Sequence, residues 1–133
     1  MVETQLTPQL ISDGAALIGG LDQAGVSPDA AFWFYFPDIK AWKLILSEVK
    51  VGPEGPRGVY RQIQKAMSSL SDQLSSLTLT DVAVAKPDAP LITLLRQVVS
   101  TGPGISGMRF TNNVINGTLI EDAYIYRLKS PAA

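Results

Sequence analysis

The sequence predicts a single α+β domain in which three helices accompany a mixed five-stranded sheet, in the order α-β-β-α-β-α-β-β. Three observations carry this expectation. Apolar residues recur at helical spacing behind Thr7-Pro8, an aromatic β-rich run occupies 31–36, and Asn116-Gly117 divides two alternating segments near the C-terminus. With 133 residues, 46% of them hydrophobic and 17% charged, the chain is of one-domain length and of folded composition. A chain of this size buries about two-thirds of the surface it exposes when unfolded.

The elements follow in order. Thr7 reads as an N-cap and Pro8 as the first helical residue. Leu10, Ile11, Leu17, Ile18 and Leu21 supply the apolar stripe, and Gly25 suits the C-terminal cap. Gly14, Gly19 and Gly20 weaken this helix, at roughly 1 kcal/mol each against alanine, and Gly14 suggests a close approach of another element. "AFWFYF" at 31–36 and "AWKLILSEVK" at 41–50 read as strands joined by a turn over 37–40. On the first strand Phe32, Phe34 and Phe36 face one side while Trp33 and Tyr35 face the other.

A second helix opens at Pro56 and runs to about Leu70. Val59, Tyr60, Ile63, Met67 and Leu70 form its apolar side, with Arg57, Arg61 and Lys65 opposite. A strand is expected over 77–85. A third helix is expected from an Asp88 cap to Gly102-Pro103, with Leu91, Leu94, Leu95, Val98 and Val99 on its apolar arc. The segments 107–115 and 118–127 then pair about the Asn116-Gly117 turn, setting Val114 opposite Leu119, Phe110 opposite Ala123 and Met108 opposite Ile125. Strict alternation assigns these six to one face. It puts Ile120, Tyr124 and Tyr126 on the other, and separates the neighbours Glu121 and Asp122 onto opposite faces. Asp122 is expected in a cross-strand contact with Arg109 and Thr111. Residues 1–6 and 129–133 read as flexible ends.

Composition excludes several chemistries. The chain has no cysteine and no histidine, so disulfides, thiolate catalysis, Cys-ligated zinc and histidine acid–base work are closed to it. Its 11 basic and 12 acidic residues are dispersed, unlike the concentrated basic footprint of a nucleic-acid binder. The longest strongly apolar run, 30–37, falls short of the ~20 residues that span a bilayer. "MVETQLTPQL" lacks the basic start and apolar core of a signal peptide, so a cytoplasmic location is expected.

Three motifs in the chain have functional lettering. Asp38, Glu48 and Lys50 carry the lettering of a metal-dependent PD…ExK nuclease. Ten extended residues separate Asp38 from Glu48 by ~33 Å, whereas two ligands of one metal lie about 4–5 Å apart. A turn aspartate and a solvated strand-end Glu and Lys explain the lettering better. Gly102, Gly104 and Gly107 fit a dinucleotide fingerprint but follow a helix and enter a strand, the reverse of what phosphate binding needs. Asn116-Gly117-Thr118 has the glycosylation lettering, which the turn explains fully.

The remaining expectation is a non-catalytic protein acting through protein–protein contact as an accessory or regulatory subunit, with no cofactor and no metal. Trp33, Tyr35, Tyr124 and Tyr126 form the candidate patch. It would be covered by a homodimer or another protein partner if the helices do not divide between the two sheet faces. The alternatives are a phosphodiesterase using Asp38, Glu48 and Lys50, and a binder of an anionic ligand through Arg57, Arg61 and Lys65.

Overall fold

A computed structural model describes residues 5–47, 56–86, 88–102 and 104–129. It shows the expected α+β domain: α1 (Pro8–Gln23), β1 (Ala30–Phe36), β2 (Ala41–Ser47), α2 (Pro56–Ser69), β3 (Val82–Ala85), α3 (Pro90–Arg96), β4 (Met108–Ile115) and β5 (Thr118–Leu128). The sheet order is β3-β2-β1-β5-β4. Only β2 and β3 run parallel; the other neighbours are antiparallel. Among the described residues no helix is long and apolar enough to cross a membrane.

The helices divide between the faces. α1 and α2 pack Leu17, Ile18, Leu21, Val59 and Ile63 against Ala31, Trp33, Trp42, Leu44 and Leu46 on one side. α3 packs Ile92 and Leu95 against Phe32, Phe34, Ile45, Ala123 and Ile125 on the other. Phe32, Trp33 and Phe34 are therefore covered on both faces by the chain's own helices, as a central strand flanked on both sides requires, while Tyr35 and Phe36 stay half-buried. Phe32, Trp33, Ile63 and Leu95 are buried, and each large apolar side chain so enclosed contributes roughly 1.5–3 kcal/mol.

Local signals place the termini of α1 as expected. Leu10 N donates to Thr7 Oγ1 at 3.2 Å. At the other end Val26 N donates to Leu21 O at 2.9 Å and Gly25 N to Asp22 O at 3.1 Å, a Schellman closure with Gly25 at positive φ. The Asn116-Gly117 turn has φ of 50° and 82° at its two central residues, the conformation that favours this pair in a tight hairpin. The predicted pairings Val114–Leu119, Phe110–Ala123 and Met108–Ile125 all occur.

Three local expectations are corrected. Residues 77–81 are not strand: Thr78 and Asp81 form a capping box over a single 3-10 turn at Leu79–Asp81, and β3 begins only at Val82. Asp88 does not cap α3; Ala89 holds that position without a side-chain bond and Pro90 opens the helix. α3 ends at Arg96 because the following chain is drawn to the sheet, where Thr101 N donates to Leu128 O and Leu128 N to Thr101 Oγ1. Val98 is consequently exposed and leaves the apolar arc.

Facing along β4–β5 departs from strict alternation twice, with larger consequences. Asn112 sits at φ 50° within β4. Ile115 and Ile120 lie on the α3 face together with Phe110, Ala123 and Ile125, so two residues rather than one separate successive inward positions here. Ile120 therefore opposes Tyr124 and Tyr126 instead of joining them. Nearer the C-terminus the β1–β5 register shifts between Ala31↔Arg127 and Phe32↔Ile125, leaving Tyr126 as the extra residue of a β-bulge.

The bulge turns Tyr126 and Arg127 together toward α1. Tyr126 Oη donates to Ile11 O at 2.6 Å and accepts from Trp33 Nε1 at 2.9 Å. Burial is the main cause that raises the phenol well above its ordinary pKa. Arg127, 2% exposed, gives both ends of its guanidinium to Asp22 at 3.0 and 2.7 Å and further bonds to Pro28 O and Gly104 O. Gly14 lets the helix approach this closely, since a Cβ there would lie 2.5 Å from Tyr126 Oη and 2.9 Å from Trp33 Nε1.

Asp13, also on the inner side of α1, is buried and fixes the segment before the 3-10 turn. Its Oδ2 accepts from Ser75 N, Ser76 N and Leu77 N at 2.8–3.1 Å, while Oδ1 accepts from Gln9 Nε2 at 2.7 Å. Burial pushes the Asp13 carboxyl up, but the combined donors outweigh it and hold the group below the usual range. The bonds from Arg127 chiefly do the same for Asp22.

Two measurements follow from these contacts. Gly14→Ala should destabilise the fold by about 1–3 kcal/mol, read from denaturant midpoints, because the added methyl overpacks a site walled by two buried rings. A midpoint equal to the parent protein's would refute that close approach. For pH, both aspartates have depressed folded values, so their stabilisation is fully present above the unfolded value of about 3.9 and disappears as pH falls through the lower folded values. Melts in acid should fall off below pH ~4, and Asp13→Asn should shallow that fall; identical acid limbs would contradict the assignment.

Candidate functional site

The four aromatics expected to form a surface patch do meet on one sheet face, but most of their surface lies in the core beneath the chain's own helices. Trp33 and Tyr126 belong to the core beneath α1, each 1% exposed. Tyr124 is half-buried, its ring 5.3 Å from that of Tyr126. Tyr35, also half-buried, borders an open depression. Antiparallel pairing across the 37–40 turn places it directly opposite Trp42, with ring centroids 5.6 Å apart.

These two rings form part of an open depression of about 510 Å³, whose other walls are Gln5, Leu6, Arg109, Glu121 and Asp122. The chain entering α1 supplies Gln5 and Leu6. Arg109 donates from Nε and Nη2 to the two oxygens of Asp122 at 2.8 and 2.7 Å, the cross-strand contact expected from the hairpin register. The bonds from Asp122 are the main cause that raises the Arg109 pKa further. The guanidinium also stands 5.6 Å from the centroid of the Trp42 ring, within cation–π range.

The separation of Glu121 from Asp122 is corrected here. The two consecutive carboxylates line the same depression, because the facing inverts beside Asn112. Asp122 is neutralised by Arg109. Glu121 has no hydrogen-bond or ion-pair partner among the described residues. The alternation rule hid this residue. Trp42 was legible in principle, since the turn that pairs Phe36 with Ala41 necessarily sets Tyr35 against it.

The hairpin tip adds an apolar element. Val114 and Leu119 face each other across the strands and are 68% and 54% exposed. With Ile115 and Ile120 turned toward α3, the Val114–Leu119 pair lies on the opposite side, continuous along β5 with Glu121.

Both free sheet edges are blunted. On β3, Val84 N donates to Tyr60 Oη at 3.2 Å. On β4, Asn112 departs from extended geometry and Asn113 Nδ2 donates to Thr111 O at 3.1 Å. Such devices discourage strand addition and direct any docking partner to a sheet face.

The other sequence candidates are dispersed. Asp38 lies in the exposed turn over 37–40, whereas Glu48 and Lys50 fall outside the described residues, as does the predicted separation between Asp38 and Glu48. Arg61 and Lys65 are exposed on α2 and line a shallow hollow with Gln64, Met67, Ser68 and Leu79; the side chain of Arg57 is not among those described. Among the described residues no cluster of three or more acidic ligands could hold a metal ion.

No family model matches the chain, and no curated protein or solved structure shows significant similarity to it. The chemistry of the depression rests on its own geometry.

Arg109 covers the Trp42 ring while itself partly exposed. Arg109→Ala should therefore increase acrylamide quenching of tryptophan fluorescence, with a stability loss of only about 0.2–1 kcal/mol, as befits a surface ion pair. Unchanged quenching would show that the guanidinium does not shield the ring in solution.

Proposed function

We propose that this protein works through protein–protein contact, as a small accessory or regulatory subunit without a catalytic step. The observation that carries the reading is the Val114–Leu119 pair. Two branched apolar side chains stand directly opposed near the hairpin turn and remain mostly in water. Their burial by a partner is favourable at roughly 25 cal/mol per Å² of apolar surface removed from water. The adjoining depression adds aromatic surface and paired polar groups, the mixture characteristic of protein contact sites. The blunted edges favour face-on packing over strand addition.

A homodimer through the same surface is the self-association form of this proposal. Absence of histidine and cysteine supports a non-enzymatic role, because it removes the side chains that most often serve as acid–base catalysts and thiol nucleophiles.

A photo-crosslinking residue placed at Leu119 tests the contact in cells, with exposed Asp72 as the control position. The expected result is one discrete adduct from position 119 and none from 72. An adduct near twice the 14.3 kDa chain mass identifies a second copy, and any other single mass a different protein. No adduct at 119, or equal labelling at both positions, would overturn the proposal.

A further inference from the structure

We infer that the depression beside the hairpin tip receives an arginine or lysine side chain, presented by the partner beside an apolar residue. The inference rests on the interaction reading above and adds the partner's chemistry.

The protein already shows that this floor can hold a guanidinium. Arg109 stands over Trp42 at 5.6 Å and makes two bonds to Asp122 at 2.8 and 2.7 Å. An aromatic face next to a carboxylate is the environment that binds a cation through both the ring quadrupole and charge-assisted hydrogen bonds. The same two components occur a second time without a cation from the described residues: the Tyr35 ring next to Trp42, and the Glu121 carboxylate next to Asp122. With Arg109 and Asp122 neutralising each other, Glu121 leaves the site with one net negative charge.

Charge complementarity selects the occupant. An anionic group would meet Glu121 unscreened, and a purely apolar side chain would bury that carboxylate without a partner. A basic side chain supplies the donor that Glu121 lacks and can lie along the aromatic rings. The depression is open to solvent and measures about 510 Å³. Leu119, two residues before Glu121 on β5, then receives an apolar neighbour of the incoming base. The partner segment thus carries a basic side chain with an apolar neighbour on the side of the hairpin tip.

The two tryptophan indole N–H signals provide the readout in a proton–nitrogen spectrum. Three peptides serve as probes: acetyl-Leu-Arg-Leu-amide, its citrulline counterpart, which keeps the shape without the charge, and acetyl-Leu-Glu-Leu-amide. The arginine peptide should shift the Trp42 signal saturably and leave the buried Trp33 signal in place. Glu121→Gln, a half-exposed strand position, should weaken that binding by about fivefold or more, and added salt should weaken it in the parent protein. The citrulline and glutamate peptides should bind more weakly by at least the same factor. Equal shifts with arginine and citrulline, an unchanged response in Glu121→Gln, or no shift at millimolar peptide would each overturn the inference. A discrete crosslink from position 119 alongside any of those results would leave the contact standing and remove only its basic-residue chemistry.

Discussion

The rest of the structure depends on the β-bulge at Tyr126. By inserting one residue opposite the junction of Ala31 and Phe32, it turns two consecutive side chains of β5 toward α1. Tyr126 takes the carbonyl of Ile11 in the first turn of the helix, and Arg127 takes the carboxylate of Asp22 near its end. Two anchors about eleven residues apart on one helix fix both its position and its direction. A regular strand would have sent one of the pair to the α3 side, where no α1 group could meet it.

The anchors are polar and buried, so each succeeds only because its hydrogen bonds are completed. Burial of a guanidinium costs several kcal/mol unless its donors are paired. Arg127 places Nε on Gly104 O, one terminal nitrogen on Asp22 and Pro28 O, and the other on Asp22. Tyr126 and Trp33 satisfy each other and the helix carbonyl together. Among the described residues no buried side-chain nitrogen or oxygen is left without a partner. Gly14 is the steric counterpart of this network, as the open position through which two rings reach the helix backbone.

The depression results from the same strand pair by a second irregularity. Asn112 inverts the facing of the hairpin beyond it, which sends Ile115 and Ile120 inward and leaves Val114 and Leu119 outside. Glu121, at the point of inversion, joins Asp122 beside the Tyr35 and Trp42 rings. One distorted residue thus creates the apolar tip and assembles the carboxylates next to it. The bulge fixes the helix that closes one side of the sheet face, and the chain entering that helix supplies the remaining wall through Gln5 and Leu6.

The sequence by itself determined the elements whose cause is local. Thr7-Pro8 starts α1, Gly25 stops it, Asn116-Gly117 makes the tight turn, and the alternation of Phe32, Trp33 and Phe34 divides β1 between two faces. The hairpin register followed as well, because a two-residue turn dictates every pairing behind it. Strand order, the division of helices two to one, the bulge at Tyr126 and the inversion at Asn112 were decided only by the tertiary structure. Each is a property of partners far apart in sequence: Tyr126 bulges because Trp33 and Ile11 receive it, and Asp13 is buried because residues 75–77 bring their amides to it. Periodicity assigns a side chain to a face only while the backbone stays regular. The depression lies where regularity breaks, so its residues were individually visible in the sequence and their meeting was not.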